Sequence, residues 1–492
     1  MANYLLTKSS FLRGVQCQKS LYLYKNFYTH RDPVSLFQQS IFNRGTNIGI
    51  LARQLYPGGV DVTPASVFKY EESALLTQKL LGEGHEIIYE ATFIFDEILV
   101  AVDLLVKAQG KWMALEVKSS ANISDTYMMD AALQNYVIKG SGLELDDFAL
   151  VYVNREYIKH GELDLNKLFI KTSVKKIIEK KTAYIIEQVK VSKSTLKDKI
   201  IPEKNIGEHC YAPYPCDFIG TCWKNIPPDS IFDIGGINKK RQFELYNQGI
   251  MMIKDIPDTM NLSDSIKIQA EAKNNNKVII DMKAITDFIH SLHYPLYFLD
   301  FESFMPAVPI YDGTHPYEHI PFQYSLHYKS APDGKLIHKE FLAEAGLDPR
   351  RTFAERLLKD TKEPGDILVY NKDFEKKIMN DLSQDFPEYR DELKQRISRI
   401  RDLAVPFAKK QYYAPSMKGS YSLKAVLPAL IPDLKYDELT IKEGGMASNT
   451  FEALQTETDL FKIADTRDAL LAYCKTDTLA MVRILELLES LL

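Results

Sequence analysis

The sequence predicts an α/β protein of more than one domain, and three observations carry that expectation. At 492 residues the chain is long enough for two or three domains. Two stretches, 86–118 and 294–303, hold short apolar runs of strand length, rich in β-branched and aromatic residues. Helical patterns, with apolar residues three and four apart, lie at 171–199 and at the C-terminal end.

Composition narrows the function class. Hydrophobic residues at 45% and charged residues at 26% are ordinary for a globular protein. A net charge of −5 gives no bulk attraction to nucleic acid, so such binding needs local basic patches. No apolar run reaches the ~18 residues of a membrane helix, so no membrane partner is expected. The opening residues show no leader pattern. Five cysteines do not suggest a secreted disulfide framework. A cytoplasmic location is expected, where grouped cysteines more often bind metal.

The chain is read in three segments. In the first, 1–225, an amphipathic helix is expected after Ser9 or Ser10, with Cys17 inside it, and a second helix up to Pro57-Gly58-Gly59. Three strands follow, around Ile87–Phe95, Ile98–Lys107 and Trp112–Lys118, with a turn at Gln109-Gly110. Asp103 interrupts an apolar strand, and Glu116 and Lys118 share a face because they are two apart. A buried aspartate opposite a Glu-x-Lys pair suits metal-dependent phosphodiester cleavage: the acids hold Mg²⁺, and the lysine activates water or offsets charge. Residues 171–199 carry nine lysines against three acids on an apolar-striped helix, either a phosphate contact or a solvated face. Cys210, Cys216 and Cys222 then fall at six-residue steps in a loop rich in Pro, Gly and aromatics. With the distant Cys17 they make four thiols, the number for a tetrahedral zinc site or an iron–sulfur cluster.

The second segment, 226–285, reads as a helical connector without chemistry of its own. The third, 286–492, opens on the strand that ends Leu299-Asp300-Phe301-Glu302, whose two acids share a face. Two like charges on a core strand call for a cation, and a hard divalent ion is the natural one. Strands are expected at 319–330, 335–344 and 367–370. A helix is expected from Asn371 to Leu382, with Asp373 and Glu375 at its start, and another after Ser420 or Ser422. Asp402 precedes an apolar turn. In the last helix Tyr473 and Asp477 are four apart, on one face.

Two resemblances follow from these residues. Asp103 with Glu116-Val-Lys118 resembles the core of the PD-(D/E)XK (restriction-endonuclease-like) nucleases. Glu90 and Gln134 match RecB-type positions, although Tyr136 stands nearer than that motif has it and Gly49 stands near its usual histidine. One early and three late cysteines around such a core resemble the iron–sulfur nucleases. This implies a [4Fe–4S] cluster on Cys17, Cys210, Cys216 and Cys222, with zinc as the alternative. The third segment resembles DnaQ-like exonucleases of the ribonuclease H-like fold, with its mixed sheet. Asp300 and Glu302 match the first motif, Asn371, Phe374 and Glu375 approximate the second, and Tyr473 with Asp477 match the tyrosine subclass. Glu375 stands where aspartate is usual, and Asp373 is the nearby substitute. The resemblance implies Mg²⁺ or Mn²⁺ held by Asp300, Glu302 and Asp477, with Glu375 assisting, Tyr473 orienting water and Asp402 standing behind. Glu90, Asp103 and Glu116 are the implied metal ligands of the first site. Both halves together resemble an uncharacterised bacterial family joining two nuclease-like units.

The leading expectation is a nuclease acting on nucleic acid, single-stranded DNA ends before RNA, in repair, recombination or defence. The competing expectation is a nucleic-acid-binding N-terminal domain with a degenerate site, only the C-terminal site cutting, RNA included. A third is a redox or zinc staple with neither site catalytic. Protein partners are unspecified.

Overall fold

The computed structural model describes residues 5–492 except 67, 68, 258, 259, 261 and 435–437. The protein is mixed α/β, with two main sheets of mixed strand direction. It divides into two compact units. The first holds residues up to Asn225 together with Pro306–Tyr317, and the second holds Ile226–Met305 with Glu318–Leu492. The stretch expected as a connector lies within the second unit.

Strands β1 (Leu6–Thr7), β2 (Val60–Asp61), β3 (Ile87–Phe95), β4 (Ile98–Ala108), β5 (Lys111–Lys118), β6 (Asp147–Val153) and β7 (Phe169–Ser173) form the first unit's sheet. Their order is β2-β3-β4-β5-β6-β7, with β1 pairing β4. The apolar stretch 87–118 folds as the antiparallel run β3-β4-β5, within a residue of the expected limits. Gln109 and Gly110 both take positive φ at the expected turn. Strands β5 and β6 are parallel, and the helix Asp125–Gly140 makes the crossover. One face packs Val100, Val102 and Leu150 under helices; the other packs Leu104, Leu115 and Val151 against Ile48 and Ala52.

Three local expectations are corrected here. Helix α1 (Lys8–Gln16) starts before Ser9, because Thr7 is the cap and its hydroxyl accepts from the Ser10 N–H. Strand pairing decides among the adjacent Thr and Ser caps: Leu6 and Thr7 lie beside Ile98 and Leu99, so the chain is extended up to Thr7. Cys17 is not inside a helix but joins α1 to α2 (Gln18–Asn26). The lysine-rich stretch is not one helix. Phe169–Ser173 pairs with β6 as an edge strand, and helices Lys175–Glu179 and Thr182–Lys197 follow. A partner strand overrides the local helical pattern there. The last helix buries Ile185, Val189 and Leu196, and its Lys193 lies 2.6 Å from Asp96.

In the second unit β8 (Ile279–Ile280) is followed by β9 (Leu296–Phe304), β10 (Ile320–Lys329), β11 (Ile337–Leu342), β12 (Ile367–Val369) and β13 (Ile400–Asp402). The main sheet has the order β11-β10-β9-β12-β13; the first three strands are antiparallel, and β9, β12 and β13 are parallel. Strand β14 (Tyr412–Tyr413) pairs with β8 in a separate ribbon. Alternation along β9 sends Leu299 and Phe301 to one core, with Phe353, Leu357 and Ile378. Phe298 goes to the other, with Ala480, Ile484 and Leu485 of the long helix Leu460–Glu489.

Candidate functional site

Strand β9 lies at the centre of its sheet, and its alternation turns Phe298, Asp300 and Glu302 to one face. Opposite them on β10 stand Ser325, across from Asp300, and Gln323, across from Glu302. Over that face the helix Leu460–Glu489 places Tyr473, Cys474 and Asp477 among its buried residues. Asp300, Glu302 and Asp477 each offer a carboxylate oxygen, and these atoms lie within 4.8 Å of one another. Among the described residues no other three acids, histidines or cysteines converge this closely.

Burial, and then the charge of Asp477, push the Asp300 carboxyl well above the usual range. Burial followed by Asp300 and Asp477 does the same to Glu302. Glu375 is raised by burial and then by Asp300. Its Oε2 is buried without a hydrogen-bond partner among the described residues. Asp373 is exposed, so Glu375 is the acid that this helix turns toward the centre. Hard oxygen donors that cannot all ionise together, one of them orphaned, fit a divalent cation such as Mg²⁺ or Mn²⁺. Tyr473 remains a phenol, its pKa driven up by burial and by the Asp477, Glu302 and Asp300 charges.

Asp402 has a different role from a site acid. Its oxygens accept from the backbone N–H groups of Asn371, Lys372 and Ala404 at 3.0, 3.3 and 2.9 Å. It thereby fixes the left-handed turn at Asn371 that starts the Glu375 helix. Sequence reasoning missed two neighbours. Lys424 lowers the proton affinity of Asp300 and Glu302, and its ammonium lies 5.4 Å from the Tyr473 ring centroid. Cys474 points its thiol at Asp300 Oδ2, 3.5 Å away. A lysine in the second position of an expected helix and a cysteine inside the Y-x₃-D spacing were the only signals.

The N-terminal acids are arranged otherwise. Glu116 Oε1 accepts from Lys8 Nζ at 2.7 Å and Lys118 Nζ at 2.8 Å, and its Oε2 from Gln134 at 2.9 Å. Asp130, on the Gln134 helix, accepts from Lys118 at 2.6 Å and Gln134 at 3.0 Å. Asp103 Oδ2 accepts from the Val117 N–H at 2.6 Å. Glu90 has φ of 56°, an uncommon value within a strand, and lies 3.3 Å from Arg53. Burial and then the Glu116 charge raise Asp103, whereas Lys118 and Lys8 overcome burial to hold Glu116 well below the usual range. Tyr136 is turned away, its hydroxyl on Asp96 at 3.2 Å. Lys8 and Asp130 were not foreseen. As folded, both oxygens of Glu116 and of Asp130, one of Asp103 and one of Glu90 meet donors from the chain itself.

Cys17, Cys210, Cys216 and Cys222 line one pocket, with Ser20, His209 and Phe218 beside them. They are not gathered at a point as the carboxylates are. All are free thiols. Gln16 holds the pocket's loop, its amide donating to the carbonyls of His209 and Tyr214, both at 2.7 Å. Burial first, then the neighbouring cysteine sulphurs, raise the Cys222 thiol, as burial does Cys17.

A domain of unknown function, DUF2779, matches residues 297–422. That span carries Asp300, Glu302 and Glu375 but neither Tyr473 nor Asp477. An uncharacterised protein of Ureaplasma parvum serovar 3 is 28% identical over 242 residues, covering 44% of this chain and 34% of that protein.

Proposed function

We propose that this protein is a metal-dependent nuclease whose hydrolytic centre is formed by Asp300, Glu302 and Asp477. The convergence of those carboxylates on two elements far apart in sequence carries the reading. The strand order, with the acid-bearing β9 central between an antiparallel and a parallel half, agrees with the ribonuclease H-like arrangement. Asp300, Glu302 and Asp477 would hold the metal, with Glu375 as a nearby fourth carboxylate. A divalent ion bound there supplies a more acidic water and offsets charge on the scissile phosphate. Tyr473, kept protonated, donates a hydrogen bond that orients the attacking water. Lys424 faces the negative charge that grows on the phosphate. Water oxygen bonds to phosphorus as the phosphorus–oxygen bond to the leaving sugar breaks; the water gives up a proton to solvent and the leaving oxygen takes one from solvent. Single-stranded DNA ends are the first substrate to try, RNA the second.

The lysine contacts at Glu116 and Asp130 favour the version in which only the second unit cuts, the N-terminal unit serving to bind nucleic acid. The four thiols of the pocket are proposed to hold a [4Fe–4S] cluster. Four sulphurs that line one pocket without meeting at a point suit a multi-atom cluster better than a single zinc ion.

The test is cleavage of end-labelled single-stranded DNA and RNA by anaerobically purified protein with Mn²⁺. Wild type is expected to cut one of them, Asp300→Ala to be silent, and Asp103→Ala to give the wild-type products. Silence of wild type on both substrates would remove the nuclease reading.

A further inference from the structure

We propose that Lys8 is a tethered cation that occupies the N-terminal acidic centre in place of a divalent ion, and so decides whether that centre binds metal. Lys8 opens α1, and its ammonium lies 2.7 Å from Glu116 Oε1 and 3.8 Å from Asp130 Oδ2. Lys118 reaches the same two oxygens from the sheet, at 2.8 and 2.6 Å. Gln134 takes the other oxygen of each acid, at 2.9 and 3.0 Å. Two ammonium groups thus face two carboxylates; without Lys8, Lys118 is left alone against both, so Lys8 is the cation that completes their neutralisation. A divalent ion needs several carboxylate oxygens turned toward one point, and here it must first displace an ammonium.

Lys8 is held in this position at both ends of its helix. Ahead of it, Leu6 and Thr7 pair with Ile98 and Leu99, and Thr7 caps the helix. At the far end Gln16 is bonded to His209 and Tyr214, and Arg13 lies 2.8 Å from Asp217. The cysteine loop therefore fixes one end of the helix whose other end places the ammonium. The role of Lys8 is independent of any chemistry in the second unit.

Mn²⁺ binding to the full chain, followed by the spin-resonance signal of free Mn²⁺, tests this role. Asp300→Ala and Asp477→Ala first remove the second unit's acids. In that background Lys8→Met is expected to gain one bound Mn²⁺, at least about tenfold tighter than with Lys8 present. Lys8→Arg is expected to bind as the lysine form does, and Glu116→Gln added to Lys8→Met to abolish the gain. Mn²⁺ binding unchanged or weakened in a folded Lys8→Met would overturn the proposal. A second readout needs no change at Lys8: acylation of lysines in the native chain, read by mass spectrometry. Lys8, its ammonium held between Glu116 and Asp130, is expected to react about tenfold or more slowly than the exposed Lys197, and Glu116→Gln to weaken that protection. Equal reaction of the two lysines in the native protein would also overturn it.

Discussion

Asp300, Glu302 and Glu375 bind protons more tightly in the fold than outside it, since burial and mutual repulsion act on all three. The sign follows by linkage. The folded state carries more of these protons than the unfolded state once pH exceeds the unfolded carboxylate value of about 4, so metal-free stability falls as pH rises from there toward the raised folded values. A bound divalent ion replaces the protons and reverses the trend. Thermal scans are therefore expected to show Mn²⁺, at a hundredfold excess over its pH 8 Kd, stabilising the second unit by about 3 kcal/mol at pH 8 and by less at pH 5. Asp300→Asn is expected to remove the Mn²⁺ effect. An equal Mn²⁺ shift at both pH values would contradict this. Between the two acids that open the same helix, Glu375→Gln is expected to slow cleavage about tenfold or more, whereas exposed Asp373→Asn stays within about twofold. Steady-state rates at saturating Mn²⁺ decide between them.

The seam between β10 and the helix Leu460–Glu489 carries its own pH signature. His327 Nδ1 lies 2.9 Å from the Thr478 hydroxyl, which also lies 2.7 Å from the Ser325 hydroxyl, so the seam aligns the Asp477 turn with the acid-bearing strand. Burial, and then the adjacent His338, push His327 down to about 4. A histidine depressed in the fold contributes stability above its unfolded value of about 6.5, and that stability is lost as pH falls toward the folded value. By denaturant titration, wild type is expected to lose roughly 1–3 kcal/mol relative to His327→Gln between pH 6.5 and 4, the lower figure allowing for solvent screening; the difference between the two proteins isolates this histidine from the opposite contribution of the buried carboxylates. The strands at this scale were legible because alternation and β-branched runs are local: 87–118 and 294–303 fold as their sequences imply. The start of α1 and the fate of Phe169–Ser173 were not, since strand pairing decided both. Lys8 reaches Glu116 across 108 residues, and no spacing rule joins them.

Two units with separate apolar cores are expected to unfold as separate events. The cysteine pocket belongs to the first, where it ties α1 and α2 to the loop that follows residue 205. Cys216→Ser is thus expected to lower the first unit's transition by several degrees, consistent with a loss of about 2 kcal/mol, and to leave the second in place. Differential scanning calorimetry under anaerobic conditions reads both. The division into two chemical centres was visible from Asp103, Glu116 and Lys118 in one half and Asp300, Glu302, Tyr473 and Asp477 in the other. What was hidden is that Lys8 and Lys118 both reach Glu116, a property of three-dimensional placement. In the proposed reaction the Asp300, Glu302 and Asp477 carboxylates support phosphodiester hydrolysis with a divalent ion. Single-turnover cleavage of end-labelled single-stranded DNA and RNA, comparing wild type with a folded Asp477→Asn at saturating Mn²⁺, tests it most directly. A fall of about a hundredfold or more is the predicted result; equal rates in the two proteins would contradict it.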